Sequence, residues 1–302
     1  MKQRKCTALI LLIAVIFLIV TFAVGCRSDS SQRTITEDII IPVGDGTYLK
    51  AQAVLPAEWQ GKSLPLVSFS HGYGGTMNSA GGNYLAVSLA ENGIATVRMD
   101  FAHYDTEDCT EPINQYTVDT MAEDQRRCID YMADTYQIDT KRIGLYGRSL
   151  GGRVAMTLAN EHLGGYDYQA LALVAPAGNA TAMQDYMGGA DTWEQMRAEA
   201  AQRGSIRQKN MTLTPDFFTA VEDYVPSEHG EGFSQPVMVI YNTKDYVVTP
   251  KTSKECASAY EDVQLIEVTT EKSPHGYEMG FKNSTLKDQL IGQITNFFKE
   301  NL

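Results

Sequence analysis

The stretch Gly147-Arg148-Ser149-Leu150-Gly151-Gly152 decides the fold. It follows the apolar run Ile143 to Tyr146, which predicts a strand, and it precedes residues 150–162, which predict a helix. A serine with glycine two positions before and two after it fits a turn too tight for flanking side chains. The pattern predicts that Ser149 is exposed as a nucleophile at the carboxyl end of a sheet.

Strands and helices alternate on both sides of this turn, which indicates βαβ units and a mostly parallel sheet in an α/β fold. A hairpin joined by Gly44-Asp45-Gly46 fits one edge of that sheet. The alternation breaks from about residue 178 to 235 and then resumes, which predicts an inserted cap. Predicted strands are 36–43, 47–55, 66–70, 94–99, 143–146, 171–175, 236–241 and 263–269, and predicted helices are 79–92, 117–136, 150–162, 192–203, 251–260 and 284–299.

A nucleophilic serine needs a base, and the base needs an orienting acid. His275 lies between the last strand and the last helix, where a loop reaches the carboxyl ends of the strands. Asp245 follows the strand that ends at Tyr241, so it is expected at the same sheet edge. The rivals are less well placed: His229 falls inside the cap, and Asp262 precedes its strand. We therefore predict Ser149, Asp245 and His275 as the catalytic residues.

The oxyanion of an acyl-transfer intermediate requires backbone N–H donors. The Leu150 N–H, directly after the nucleophile, is one expected donor. The loop His71-Gly72-Tyr73-Gly74-Gly75 follows an early strand, and the Tyr73 N–H is the other expected donor. His71 precedes Ser149 in the chain and is expected to order this loop by hydrogen bonds.

The cap carries apolar side chains whose role the sequence leaves open. Trp193 and Met196 lie at helical spacing and are candidates for substrate contact, and five further apolar residues accompany them (Met183, Met187, Met211, Phe217 and Phe218). Met and aromatic side chains can line an acyl or aryl pocket. They can equally pack the cap onto the core.

The first 25 residues predict a targeting segment and not part of the fold. Met1 to Lys5 is basic, and Cys6 to Val24 is almost continuously apolar. Ala23-Val24-Gly25-Cys26 is similar to the lipobox of bacterial lipoproteins, in which the cysteine carries the lipid. An uncleaved membrane anchor is the alternative. Both interpretations tether the domain to the outer face of the cell membrane through a linker, residues 26–35.

Charge and cysteine content exclude some partners. The net charge of −12 argues against nucleic-acid binding. The folded part contains Cys109, Cys128 and Cys256, so at least one thiol is free. A Cys109–Cys128 disulfide and three free thiols are both open, and the cysteine spacing does not suggest zinc.

From about Thr36 to Leu302 the chain resembles the α/β-hydrolase superfamily, and it is most similar to the cinnamoyl (feruloyl) esterase-like branch. The resemblance is carried by the blocks His71 to Gly75, Arg98-Met99-Asp100-Phe101, Gly147 to Gly152, Asp245-Tyr246-Val247-Val248-Thr249-Pro250 and Pro274-His275-Gly276. It implies the triad and oxyanion donors named above, and a cap after the strand Leu171 to Ala175. Two departures concern the substrate: HGY replaces HGF in the oxyanion loop, and Arg148 stands where His is frequent.

These observations predict an extracytoplasmic serine carboxylic-ester hydrolase acting on small acyl or aryl esters, without a metal or organic cofactor. Two alternatives remain. One is a serine peptidase of the prolyl-oligopeptidase type, and the other is a non-catalytic binding lipoprotein that keeps the fold. The sequence leaves the oligomeric state open.

Overall fold

An eight-stranded sheet forms the centre of the structure, a computed structural model that describes residues 33–44, 47–101, 116–209 and 211–302. Its strands are β1 Thr34–Gly44, β2 Thr47–Pro56, β3 Leu64–Ser70, β4 Ala95–Met99, β5 Ile138–Arg148, β6 Tyr168–Val174, β9 Val237–Asn242 and β10 Val263–Val268. They follow the order β1-β2-β4-β3-β5-β6-β9-β10. The pairs β1–β2 and β2–β4 are antiparallel and the other neighbours are parallel. The structure confirms the predicted mostly parallel sheet with a hairpin at one edge.

The central strands are mostly apolar because helices cover both of their faces. Every residue of β3, β4 and β9 is buried. The edge strand β10 is different, because its residues are only half-buried or exposed. Its Leu265 leaves 44% of its surface in solvent.

Five helices flank this sheet: α1 Gly82–Glu91, α2 Val118–Thr135, α3 Leu150–Asn160, α7 Pro250–Ala257 and α8 Thr285–Asn301. The helix α2 shows why these segments are helical. Thr117 caps its first turn by accepting a hydrogen bond from the Thr120 N–H at 3.2 Å. The predicted apolar face is fully buried, and it consists of Met121, Cys128, Ile129 and Met132.

The region between β6 and β9 forms the cap. It comprises α4 Ala182–Tyr186, α5 Ala190–Arg203, a hairpin of β7 Ile206–Gln208 and β8 Met211–Leu213, and α6 Pro215–Asp223. Of these elements, sequence reasoning predicted only the helix near 192–203.

Arg153 of α3, fully buried, connects the helix behind the nucleophile to the cap. Its guanidinium donates hydrogen bonds to four main-chain carbonyls, those of Ala177, Asn179, Val221 and Tyr224. Charge-assisted hydrogen bonds of this kind are stronger than those between neutral groups. This one side chain therefore links α3 to the base of the cap at four points.

Several residues singled out by the sequence lie outside the described part of the chain, among them the targeting segment with Cys26, and Cys109. Cys128 and Cys256 are buried free thiols. None of the helices that the structure describes has both the length and the apolar character to cross a bilayer.

Candidate active site

Ser149 occupies a strained turn between β5 and α3. Its backbone has φ 56° and ψ −124°, a conformation that non-glycine residues rarely adopt. A Cβ on Gly147 would lie 2.3 Å from the Gly151 oxygen, and one on Gly151 would lie 2.2 Å from the Ser70 oxygen. The two glycines therefore allow the close approach that presents the serine hydroxyl at the end of β5.

His275 lies between Ser149 and Asp245. Its Nε2 is 3.2 Å from the Ser149 Oγ, and its Nδ1 is 2.8 Å from the Asp245 Oδ2. A carboxylate only accepts hydrogen bonds, so Nδ1 carries the proton and the Nε2 lone pair faces the serine hydroxyl. The three residues predicted from separate motifs thus meet in the order nucleophile, base, acid.

Asp245 is buried, and both of its oxygens are engaged. Oδ1 accepts from the main-chain N–H groups of Val247 at 2.9 Å and Val248 at 3.1 Å. Oδ2 accepts from the Tyr277 hydroxyl at 3.3 Å in addition to His275. These hydrogen-bond donors offset the cost of burying the carboxylate of Asp245.

The loop that carries His275 is held by buried polar contacts. Asn242, fully buried at the end of β9, donates to the carbonyls of Thr270 at 2.9 Å and Pro274 at 2.8 Å. Glu278 accepts from Thr270 at 2.5 Å and from Ser284 at 2.8 Å, and these contacts lower the pKa of Glu278. They hold a segment in which three non-glycine residues adopt positive φ, namely Ser273, Tyr277 and Glu278.

The predicted oxyanion loop lies against the nucleophile. A Cβ on Gly72 would be 3.1 Å from the Ser149 Cβ, so the loop backbone approaches the serine closely. The Leu150 N–H opens α3, where no intrahelical carbonyl is available to it. The Tyr73 side chain reaches the cap, because its hydroxyl donates to the Gln208 amide oxygen at 2.9 Å.

His71 orders this loop, as the sequence predicted. Its Nδ1 is 2.9 Å from the Gly72 carbonyl, and its Nε2 accepts from the Phe101 N–H at 3.3 Å. Burial lowers the pKa of His71 and favours the neutral ring that this pair of contacts requires.

A cavity of about 480 Å³ opens beside Ser149, between the sheet and the cap. Three tyrosines, two cations and one carboxylate are among its lining residues. The complete set is Gly72, Tyr73, Arg148, Ser149, Ala177, Ala182, Met183, Asp185, Tyr186, Lys209, Tyr246, Val247, Val248 and His275.

The structure does not place Trp193 or Met196 at this cavity, and this corrects their assignment to substrate contact. Trp193 is only 2% exposed, stacks edge-on against Phe218 at 4.7 Å, and donates its indole N–H to Glu222 at 2.6 Å. Met196 lies beside a separate surface groove on α5. Their helical spacing reflects the packing of the cap, which was the other interpretation of the pattern.

The two rival site residues lie away from Ser149. His229 stacks on Tyr224 in the cap, with ring centroids 4.8 Å apart. Asp262 precedes β10, and its carbonyl accepts from the first residue of β9, Val237. Asp262 therefore lies at the amino ends of the strands, opposite to the nucleophile.

Sequence reasoning identified neither the two cations of the cavity nor its carboxylate, Asp185, as lining residues. Arg148 was noted only as a departure from the related esterases, and its Nη2 donates to the His275 carbonyl. Lys209, at the tip of the β7–β8 hairpin, has a positive φ of 56° and gave no signal.

Comparisons with known proteins agree on the fold. The model of the prolyl oligopeptidase family matches residues 86–302. Est1E from Butyrivibrio proteoclasticus, in its complex with ferulic acid, superposes with a TM-score of 0.70 at 19% identity, over 87% of this chain and 98% of that one. A hypothetical protein from Pseudomonas aeruginosa superposes with a TM-score of 0.70 at 16% identity, over 90% of this chain and 95% of that one.

A putative dipeptidyl aminopeptidase IV from Bacteroides ovatus gives a TM-score of 0.61 at 16% identity, over 91% of this chain and 37% of that chain. A comparison with curated proteins found no match. The likenesses to solved structures confirm the α/β-hydrolase fold that the sequence predicted.

Proposed function

Because the chain belongs to the prolyl oligopeptidase family and is a serine hydrolase of the α/β fold, we propose that it hydrolyses carboxylic esters of small acyl or aryl groups. The observation that carries this proposal is His275, which bridges Ser149 and Asp245 at hydrogen-bond distance beside a small cavity.

In the proposed reaction, the Ser149 Oγ attacks the ester carbonyl while Nε2 of His275 takes its proton. Asp245 holds the imidazole in the tautomer that leaves Nε2 free to accept, and it stabilises the cation that forms. The imidazolium then gives the proton to the departing alcohol. Water hydrolyses the acyl-enzyme with His275 again acting as base.

The N–H groups of Leu150 and Tyr73 are the proposed oxyanion donors. Two observations support this: Leu150 opens α3, and the loop of Tyr73 packs against Ser149 through Gly72. A helix N-terminus carries a partial positive charge, which favours a developing anion.

Hydrolysis of peptides is the second candidate, because the family match favours it. A peptidase that grips a free amino terminus needs carboxylates in its cavity. Among the lining residues that the structure describes, Asp185 is the one carboxylate, and Arg148 and Lys209 are cationic. This charge balance favours esters over peptides with a free amine.

The test uses Ser149→Ala with Ser258→Ala as a matched control, because Ser258 is exposed and directly follows the last residue of α7. We expect Ser149→Ala to abolish release of 4-nitrophenol from short-chain esters while Ser258→Ala retains it. Paired dipeptide nitroanilides separate the two candidates, since a peptidase would cleave them at rates comparable with the esters. A native chain whose Ser149 fails to react with fluorophosphonates would instead favour a non-catalytic binding protein.

We also propose that the enzyme is tethered outside the cytoplasm by a lipid on Cys26. The basic start, the apolar segment that follows it and the lipobox-like Ala23-Val24-Gly25-Cys26 support this location. Cys26→Ser should prevent incorporation of labelled fatty acid, whereas Cys6→Ser in the same segment should not. Equal labelling of both variants would count against the lipid site.

A further inference from the structure

Arg148 is a cation in the cavity wall that has no carboxylate partner. Its Nη2 donates to the His275 carbonyl, and its Nε is buried without a hydrogen-bond partner. It forms no ion pair with any residue that the structure describes. Burial lowers the pKa of Arg148, yet a guanidinium stays protonated in proteins.

The nearest negative charge does not neutralise it. Asp245 acts on Arg148 electrostatically, but all of its hydrogen-bonding directions are taken by His275, Tyr277 and two main-chain N–H groups. Removing a charge from water is costly when no opposite charge accompanies it, and this applies in part to the half-buried Arg148. The cost is offset when a ligand supplies the opposite charge.

Lys209 is the second cation that lines the same cavity, and it is an exposed residue of the cap. It projects from the cap hairpin with its Nζ 2.6 Å from the Tyr186 hydroxyl, and it makes no ion pair among the described residues. Its φ of 56° is unfavourable for a lysine, and such strain is concentrated at functional sites.

Asp185 does not cancel either cation. It lines the cavity and accepts a hydrogen bond from Thr181 at 3.1 Å, but pairs with neither Arg148 nor Lys209. The Tyr186 hydroxyl accepts from Lys209, so its own proton is available as a further donor. The cavity thus presents several donors and excess positive charge in a chain of net charge −12.

We propose that Arg148 and Lys209 form an anion subsite and that the natural ester bears a carboxylate, on either its acyl or its alcohol part. This inference rests on the proposed esterase function. It narrows the substrate class from small esters in general to acidic esters.

The test compares matched esters that differ in one carboxylate. On the acyl side the pair is mono(4-nitrophenyl) adipate and methyl 4-nitrophenyl adipate, followed by nitrophenolate release. On the alcohol side the pair is 4-acetoxybenzoate and 4-acetoxybenzamide, followed by release of the phenol. We expect kcat/KM to favour the acidic member of one pair by about tenfold, since hydrogen bonds to charged groups are among the stronger ones.

The variants Lys209→Gln and Arg148→Gln should reduce that preference, and Lys209→Glu should reverse it. Lys62→Gln removes the same charge from an exposed lysine paired with Glu58, so it should keep the wild-type preference. Because Arg148 also holds the His275 carbonyl, its variant should lose rate on both members, whereas Lys209→Gln should act mainly on the acidic one.

A second measurement does not need turnover. Adipate and benzoate should slow fluorophosphonate labelling of Ser149 in the wild type more than in Lys209→Gln. If neither ester pair is cleaved, the esterase function fails, and this protection alone decides the subsite. A preference for the neutral member of both pairs, or an acidic preference that survives in Lys209→Gln and Arg148→Gln, would overturn the inference.

Discussion

Replacing Asp245 by asparagine should favour the tautomer of His275 that cannot accept a proton from Ser149. In one amide orientation, the oxygen keeps the N–H groups of Val247 and Val248, and the amide NH₂ faces Nδ1 of His275. Only the Tyr277 hydroxyl then loses its acceptor. In the other orientation, the oxygen faces His275, and two main-chain N–H groups meet the amide hydrogens. The first is preferred by at least one hydrogen bond, about 1–3 kcal/mol.

The preferred orientation makes Nδ1 an acceptor and puts a proton on Nε2 of His275, which then has no lone pair for Ser149. A preference of about 1–3 kcal/mol leaves the productive tautomer in only about 10% to 1% of molecules. The loss of the Asp245 negative charge also removes the stabilisation of the imidazolium that forms during the reaction. We therefore expect kcat to fall about 10⁴-fold, which corresponds to an increase of about 5 kcal/mol in the activation free energy.

The assay is steady-state hydrolysis of 4-nitrophenyl acetate, with active sites counted by fluorophosphonate titration. Asp262→Asn is the matched control, because Asp262 is exposed at the other end of the sheet and should keep the wild-type kcat. A loss of less than tenfold in Asp245→Asn, or a similar loss in both variants, would refute the reasoning.

Three further predictions concern stability. Gly151→Ala should prevent native folding, because its Cβ would lie 2.2 Å from a carbonyl oxygen. Its control is Gly292→Ala on α8, where the added Cβ meets open space. This variant should raise the unfolding free energy, measured by urea titration, by up to about 1 kcal/mol. Arg153→Met should lower the unfolding free energy by roughly 3 kcal/mol, since four main-chain carbonyls lose their donor. Arg197→Met, which removes a surface pair with Glu194, should leave it nearly unchanged; equal effects of the two variants would show that Arg153 does not hold the cap. Because burial lowers the pKa of His71, the unfolded chain protonates this imidazole at a higher pH than the folded chain does. The unfolding free energy should therefore fall as the pH drops through about 6.5, and it should fall less steeply in His71→Gln. Parallel pH profiles of the two proteins would contradict this.

The elements that the sequence revealed are those governed by local chemistry. The turn at Ser149 needs glycines at fixed positions, and His275 and Asp245 stand where strands end, so spacing alone brought the three together. Parallel strands covered on both faces leave continuous apolar runs that are easy to find. The sheet and the placement of these residues therefore followed from the sequence.

The cap did not follow, because its organisation depends on tertiary contacts. The spacing of Trp193 and Met196 shows that one helix face is apolar, but it does not show what that face contacts. The three-residue strands of the cap hairpin are too short for a periodic signal, although Lys209-Asn210 between them has the asparagine typical of turns. The sequence marks Arg148 only as a residue that stands where His is frequent, and its lack of an ion pair with the described residues is visible only in three dimensions.

The strand order has a consequence for how the enzyme is made. Ser149 directly follows β5, whereas Asp245 and His275 follow β9 and β10, which lie at one edge of the sheet and are the last strands to be synthesised. A nascent chain therefore carries Ser149 for 126 residues of translation before it carries the base His275. The arrangement that aligns His275 with Ser149 and Asp245 is therefore complete only when the carboxyl-terminal edge of the sheet has packed against the rest of the domain.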